Sequence, residues 1–339
     1  MTSTDAVRLN ESFQLEPCQH MLPQREIDEI TIDVLAVGLN PVDYKFKNGA
    51  IPIELPCILG HECLGVVLDA DDKSLTGKKV IVYLPGPHTQ SSGAMCRRLN
   101  VPLDFVAVVP DDASPEYAAY PLCGLVAQRC FNRIKNQNVR NCFVAGVTGG
   151  VGWLFAQLCR KNGIALFTCV RSTSSQHKIE AFFGQEINCF VSENVLSGHA
   201  VVEAFGRQHF DACADFVGGE FKTMCLQLCD FNAQFLTIVE EGPGSVIDLL
   251  DARKSPAFQK SLCCHFEFLG AQAYFGTKED RACYAKELDE MKTLIMDRTF
   301  LYPTIKTFRG CNVESLEAGL RQLENREDPS VNKFLIVFN

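Results

Sequence analysis

From residue 141 the chain alternates short apolar runs with longer amphipathic ones, and no other feature restricts its fold as much. Strand "CFVAGV" leads to helix "VGWLFAQLCRKNG", strand "IALFTCV", helix "SSQHKIEAFFG" and strand "NCFV". Helix "SGHAVVEAFGR", strand "FDACADFVG", helix "GEFKTMCLQLC" and strand "AQFLTIVE" follow, with a further strand expected near "CCHFEFLGAQAYF". Parallel strands need crossover connections, so this alternation implies a parallel sheet with helices on both faces.

The turn "VAGVTGGVGWLFAQL" joins the first of these strands to its helix, with Gly146, Gly149 and Gly152 spaced three apart. Glycine lets a backbone turn sharply and approach a pyrophosphate, while the helix N-terminus offers free N–H groups and a positive dipole. Thr148, Gly149, Gly150, Val151 and Gly152 are therefore the expected dinucleotide contacts. The spacing is GxxGxxG rather than GxGxxG, so its place between strand and helix carries the reading. Trp153 reads as packing.

A ribose-binding acid about twenty residues further on marks NAD. The second strand instead runs into "CVRSTSSQHK", with Arg171, Ser172 and Lys178 but no acid. These groups suit a 2′-phosphate, so NADP(H) is the expected cofactor. The plainer alternative is that Arg171 and Lys178 are ordinary solvated charges.

The remaining sequence reads differently. Residues 28 to 110 are β-rich and broken by glycines and prolines, as in "ITIDVLAVGLN", "KKVIVYLP" and "DFVAVVP". "DDASPEYAAY" is expected to open a helix, with Ser114 as N-cap and Pro115 at its first position. The tail carries a helix near 280–297, strand "PTIKTF", helix "NVESLEAGLRQLE" and a last strand "KFLIVF", assigned back to the β-rich part. A net charge of -9 and a pI near 5.4 oppose a nucleic-acid surface or adhesion to anionic lipid. No apolar run reaches membrane-spanning length and the N-terminus lacks a signal-peptide core, which makes the cytoplasm the expected location. Seventeen cysteines without a CxxC pair read as reduced, mostly buried thiols. Cys225 and Cys229, four apart, are expected on one helix face as core packing.

"GLNPVDYKFKNG", "GHE", "AGVTGGVG", "FDACADFVGG" and "NKFLIVF" occur in an order that resembles the medium-chain dehydrogenase/reductase superfamily, in particular its zinc-independent, quinone-oxidoreductase-like (zeta-crystallin-like) branch. The resemblance runs from about residue 25 to the end. It implies a discontinuous GroES-like catalytic domain, 1–122 and 268–339, around a Rossmann domain, 123–267, with the active site in the cleft between them. The expected fold class is thus α/β: a doubly wound parallel Rossmann sheet plus a β-rich GroES-like domain. A homodimer is expected.

Catalytic zinc needs three protein ligands and an open position. In zinc-using members a cysteine precedes the histidine of "GHE" by 21 residues; here Asn40 stands there. The place of a second cysteine falls on Leu122, with Cys123 one residue off, so no bound metal is expected. His61 and Glu62 then read as hydrogen-bonded polar residues, with His61 as proton donor the alternative. Without metal, a hydrogen-bond donor or cation must stabilise the charge left by hydride transfer. Asn40, Tyr44 and Lys45 are the candidates, Asn40 because the resemblance places it beside the nicotinamide; Lys45 reads equally as a surface lysine. The resemblance also assigns Phe216, Val217, Gly218, Leu236 and Thr237 to the nucleotide groove. Lys333 reads either as a phosphate contact or as solvated. The expected activity is NADPH-dependent reduction of a quinone or α,β-unsaturated carbonyl. A zinc alcohol dehydrogenase and a non-catalytic NADPH-binding protein are the alternatives.

Overall fold

The computed structural model of the protein describes residues 2–86, 92–191, 198–205, 209–240 and 249–338. The ends of the expected helix "SGHAVVEAFGR" lie outside them. The chain divides into two compact units, Met1–Leu125 with Leu269–Arg298 and Thr304–Asn339, and Val126–Phe268 with Thr299–Pro303.

Along the chain come β1 (Thr2–Leu9), β2 (Leu15–Leu22), β3 (Glu29–Leu39), α1 (Pro41–Lys47), β4 (Cys57–Ile58), β5 (Glu62–Asp69), β6 (Lys79–Tyr83), β7 (Arg98–Pro102), β8 (Val106–Val108) and α2 (Pro121–Ile134). The alternating part supplies β9 (Asn141–Ala145), α3 (Gly150–Lys161), β10 (Ala165–Val170), α4 (Thr173–Phe183), β11 (Ile187–Val191), α5 (Gly198–Phe205), β12 (Phe210–Asp215), α6 (Glu220–Leu228), β13 (Cys229–Thr237), α7 (Pro256–Gln259) and β14 (Cys263–Phe266). The tail adds α8 (Ala271–Phe275), α9 (Lys278–Met296), β15 (Ile305–Arg309), α10 (Val313–Asn325) and β16 (Lys333–Val337).

In the second unit six strands form one sheet in the order β11-β10-β9-β12-β13-β14, every neighbouring pair parallel. The chain enters at β9, winds outward to β11, then returns to β12 on the other side of β9. That reversal leaves a crevice beyond the carboxyl ends of β9 and β12, the place where doubly wound sheets bind nucleotides. Phe143, Phe210, Phe235, Cys213, Cys225 and Cys229 fill one side of the core. Trp153 packs between Phe182 and Phe183 at 5.0 Å from each and donates its indole N–H to Leu301 O at 3.0 Å.

The first unit holds a small sheet, β2-β1-β4, and a seven-stranded one ordered β15-β16-β3-β5-β6-β8, with β7 also paired to β3. Along β3 burial alternates up to Leu35; from Ala36 to Leu39 every residue is buried. Strand β16 runs antiparallel to β3 with Phe334 opposite Leu39, which brings Lys333 beside Asn40. The expected fold class, a Rossmann sheet with a β-rich GroES-like part, is the one observed.

Two local expectations are corrected. Ser114 and Pro115 open only a short 3₁₀ turn, Pro115–Ala119, without a side-chain cap. Pro121, lacking an N–H, starts a separate helix there. Cys225 and Cys229 share the core but not a helix face, because Cys229 leaves helical geometry (φ -60, ψ 138) and begins β13.

Candidate functional site

The dinucleotide turn is built from backbone. Gly146 has φ +82, and a Cβ on Gly152 would lie 2.3 Å from the carbonyl oxygen of Gly146, so neither position admits a side chain without a shift. Gly149 sits at the N-cap of α3, exposed, with Gly146 O at 3.4 Å the nearest atom to a Cβ there. The first N–H groups of a helix have no intrahelical acceptor, and here they follow the carboxyl end of β9 at the reversal of strand order. Thr148, Gly150 and Val151 are partly exposed around this turn. The geometry fits a pyrophosphate.

Across the crevice, Asp215 ends β12 fully buried and accepts from the backbone of Val217 (3.0 Å) and Gly218 (2.8 Å) through Oδ1. Its Oδ2 accepts from Thr237 Oγ1 at 3.0 Å. One carboxylate thus sets the turn Phe216–Val217–Gly218 and ties it to the end of β13, where Leu236 and Thr237 are buried. The sequence reading missed Asp215; its place before "FVGG", as the acid of an Asx turn, was the available signal.

The three residues expected at the 2′-phosphate differ in placement. Arg171 is exposed just past β10 and carries no ion pair among the described residues. Ser172 caps α4, its hydroxyl oxygen accepting from Ser175 N at 3.3 Å and its hydrogen reaching Ser175 Oγ at 3.0 Å. Lys178 Nζ lies 5.3 Å over the Trp153 ring, a cation–π contact inside the unit.

In the first unit a buried polar cluster surrounds Lys333. Its Nζ lies 2.6 Å from Glu62 Oε1, 2.5 Å from Asn40 Oδ1 and 3.3 Å from Cys123 Sγ. Asn40 Nδ2 donates to the same Glu62 oxygen at 2.7 Å, and Leu122 N donates to Glu62 Oε2 at 2.7 Å. Asn40 and Glu62 are fully buried and Lys333 is 3% exposed. Burial disfavours the ammonium, but Cys123 and then Glu62 outweigh it and hold Lys333 above the ordinary lysine range. Gly38 makes room for the carboxylate: a Cβ there would meet Glu62 Oε1 at 2.4 Å.

Three expectations change here. Lys333 is neither solvated nor free to reach phosphates, since its ammonium is enclosed by three partners. The amide of Asn40 donates to Glu62 and accepts from Lys333, so its donor is spent inside the protein. Leu122 contributes only its backbone, and Cys123 is the residue whose side chain enters the cluster, 3.4 Å from Asn40 Oδ1. Among the described residues no three His, Cys, Asp or Glu side chains converge on a point that could hold a metal ion.

Asp43 links this cluster to His61. Its Oδ2 accepts from Asn40 N at 2.8 Å and its Oδ1 lies 2.8 Å from His61 Nδ1. Tyr44 and Lys45 stand outside the network. Burial raises the Tyr44 phenol above its ordinary range, with Arg326 and Glu324 its charged neighbours. Lys45 is partly exposed and makes no side-chain hydrogen bond among the described residues.

An alcohol dehydrogenase GroES-like domain matches residues 26–111. The "Synaptic vesicle membrane protein VAT-1 homolog-like" of Mus musculus is 31% identical over 145 residues, covering 41% of this chain and 33% of its own. The "Quinone-oxidoreductase homolog, chloroplastic" of Spinacia oleracea is 26% identical over 154 residues, 41% of this chain and 46% of its own. The chain thus spans a third to a half of the length of these relatives. The mycobacterial structure of Rv1454c complexed with NADPH superimposes with a TM-score of 0.79 at 22% identity, over 99% of this chain and 100% of that one. With the domain match, the glycine turn and the strand order together, the chain is similar to the medium-chain dehydrogenase/reductase superfamily and, within it, to quinone-oxidoreductase-like members.

Proposed function

We propose that this chain is an NADPH-dependent oxidoreductase that reduces a quinone or an α,β-unsaturated carbonyl without a metal. The observation that carries the reading is the glycine turn at the reversal of a 3-2-1-4-5-6 sheet, with Arg171, unpaired among the described residues, where an NAD-binding acid would end β10. Bound NADPH supplies the hydride. The N-terminus of α3 holds the pyrophosphate, Arg171 meets the 2′-phosphate, and Asp215 keeps the opposite wall of the crevice in shape. The absence of a metal rests on the cluster around Lys333. Asn40 stands where a cysteine would be needed, Cys123 Sγ lies against Lys333 and Asn40, and Glu62 already has a cation. The relative from Spinacia oleracea, named for quinone oxidoreduction, and the NADPH complex of the structural neighbour support the same assignment.

The reading extends to a cytoplasmic homodimer acting on a small molecule, with neither nucleic acid nor membrane as partner. Among the described residues no helix is long and apolar enough to cross a membrane. For the dimer, among the described residues β14 is an edge strand paired with β13 alone, and Phe266 at its end and Phe268 just after it are 63% and 54% exposed. An apolar edge strand is open to pairing with a second copy.

The test follows absorbance at 340 nm with a panel of quinones and enones, using NADPH and NADH in parallel. Turnover with NADPH in preference to NADH is expected. Tight NADPH binding without oxidation by any acceptor would favour the non-catalytic alternative.

A further inference from the structure

One nitrogen of His61 is left open by a fold that fixes everything else about the ring. Asp43, fully buried, holds Nδ1 at 2.8 Å and is itself fixed by N–H groups of Asn40 (2.8 Å) and Gly60 (3.2 Å). The imidazole stacks on Phe46, with centroids 5.6 Å apart and planes 6° apart. The side chain is 5% exposed, yet Nε2 has no partner among the described residues. Nε2 is not one of the buried unpartnered polar atoms of the described residues, so it is the one edge of the ring that reaches solvent and can pass on a proton.

Nε2 faces the bare Cα of Gly86. A Cβ there would lie 3.0 Å from Nε2 and 2.9 Å from Tyr274 Oη, and Gly86 has φ +121, which only glycine adopts readily. Tyr274 donates its hydroxyl hydrogen to Pro85 O at 2.6 Å, which fixes the phenol at the edge of the same space. An imidazole nitrogen and a phenol oxygen therefore converge on a cradle that a side chain on Gly86 would fill.

We infer that His61 is the proton donor to the acceptor oxygen and that Asp43 is its positioning residue. This rests on the reductase reading above. Once the acceptor has gained two electrons and one hydrogen, negative charge remains on its oxygen. That oxygen takes the Nε2 proton, imidazolium becomes neutral imidazole, Nδ1–H stays on the Asp43 carboxylate, and solvent returns a proton to Nε2. A quinone ends as its hydroquinone; an enone ends as an enol that tautomerises to the saturated carbonyl. Among the described residues the ionisable groups that meet His61 are Asp43 from α1 and Tyr274 from α8, and the charge of its chain neighbour Glu62 is matched by Lys333.

The test has two arms. In steady-state assays His61→Gln should lower kcat by about 10²–10³-fold and leave NADPH affinity unchanged. Asp43→Asn should lower kcat less and leave NADPH affinity unchanged. Independently of turnover, ¹⁵N-histidine spectra of the cofactor-free wild type are titrated with 4-nitrophenol, a phenol probe for the hydroxyl product. Movement of the His61 Nε2 resonance is expected, and this arm decides alone if His61→Gln does not fold. Full kcat in His61→Gln beside an active wild type, or 4-nitrophenol binding that leaves the His61 resonance unmoved, overturns the proton role while the reductase reading stands. No acceptor turnover in the wild type overturns both.

Discussion

The two candidate sites of this chain are built on opposite plans. In the second unit the nucleotide crevice is made of backbone: a glycine turn, a helix N-terminus and a loop shaped by the single carboxylate of Asp215. In the first unit the polar cluster is made of side chains from positions 40, 62, 123 and 333, enclosed until Lys333 is 3% exposed. A backbone site tolerates changes of neighbouring side chains but no added Cβ. A buried charge cluster tolerates neither loss nor exchange of a member, because what remains is an uncompensated charge.

The comparison breaks first at Lys333. Lys333→Met should cost about 3–5 kcal/mol, since it strands Glu62 in the interior. Urea unfolding measures this, and the double variant with Glu62→Gln should recover part of the loss. Equal stability of the single variant and wild type would mean that the cluster is not held by charge.

The backbone site is sharpened by two glycines. Gly152→Ala should cost about 1–3 kcal/mol, because its Cβ meets backbone atoms 2.3 Å away. Gly149→Ala, with nothing nearer than 3.4 Å, should stay within about 0.5 kcal/mol of wild type yet weaken NADPH binding. Thermal melts with and without NADPH separate the two effects. At Arg171, alanine should weaken NADPH by about tenfold, roughly 1.4 kcal/mol, and barely change NADH, as titration calorimetry would show.

A further effect comes from pH. Burial holds the thiols of Cys57 and Cys264 up to about 11, and those of Cys169, Cys189 and Cys311 up to about 12. Each therefore contributes stability that is full below the ordinary thiol value of 9.0 and is lost as pH rises through its folded value. Lys333, also raised, acts in the same direction above the ordinary lysine value of 10.5. The melting temperature should fall steadily above pH 9; a flat profile to pH 11 would contradict this.

Which parts were legible in the sequence follows from the same contrast. The alternation after residue 141 and the glycine turn are local patterns, so they announced the parallel sheet and the crevice. Asp215 was legible only as a turn former. The cluster was not legible, because Lys333 reaches Asn40 through the β16–β3 register, a pairing across most of the chain. One-residue offsets also mislead: the resemblance put the place of a second cysteine on Leu122, yet Cys123 supplies the side chain. The setting of His61 Nε2, without a partner among the described residues, needed Gly86 and Tyr274, neither marked by any motif.

The most direct test of metal-free NADPH-dependent reduction is the 340 nm rate with a quinone acceptor, measured on one sample before and after exhaustive chelation. The account predicts the same rate in both. Activity lost on chelation and restored by zinc would contradict it.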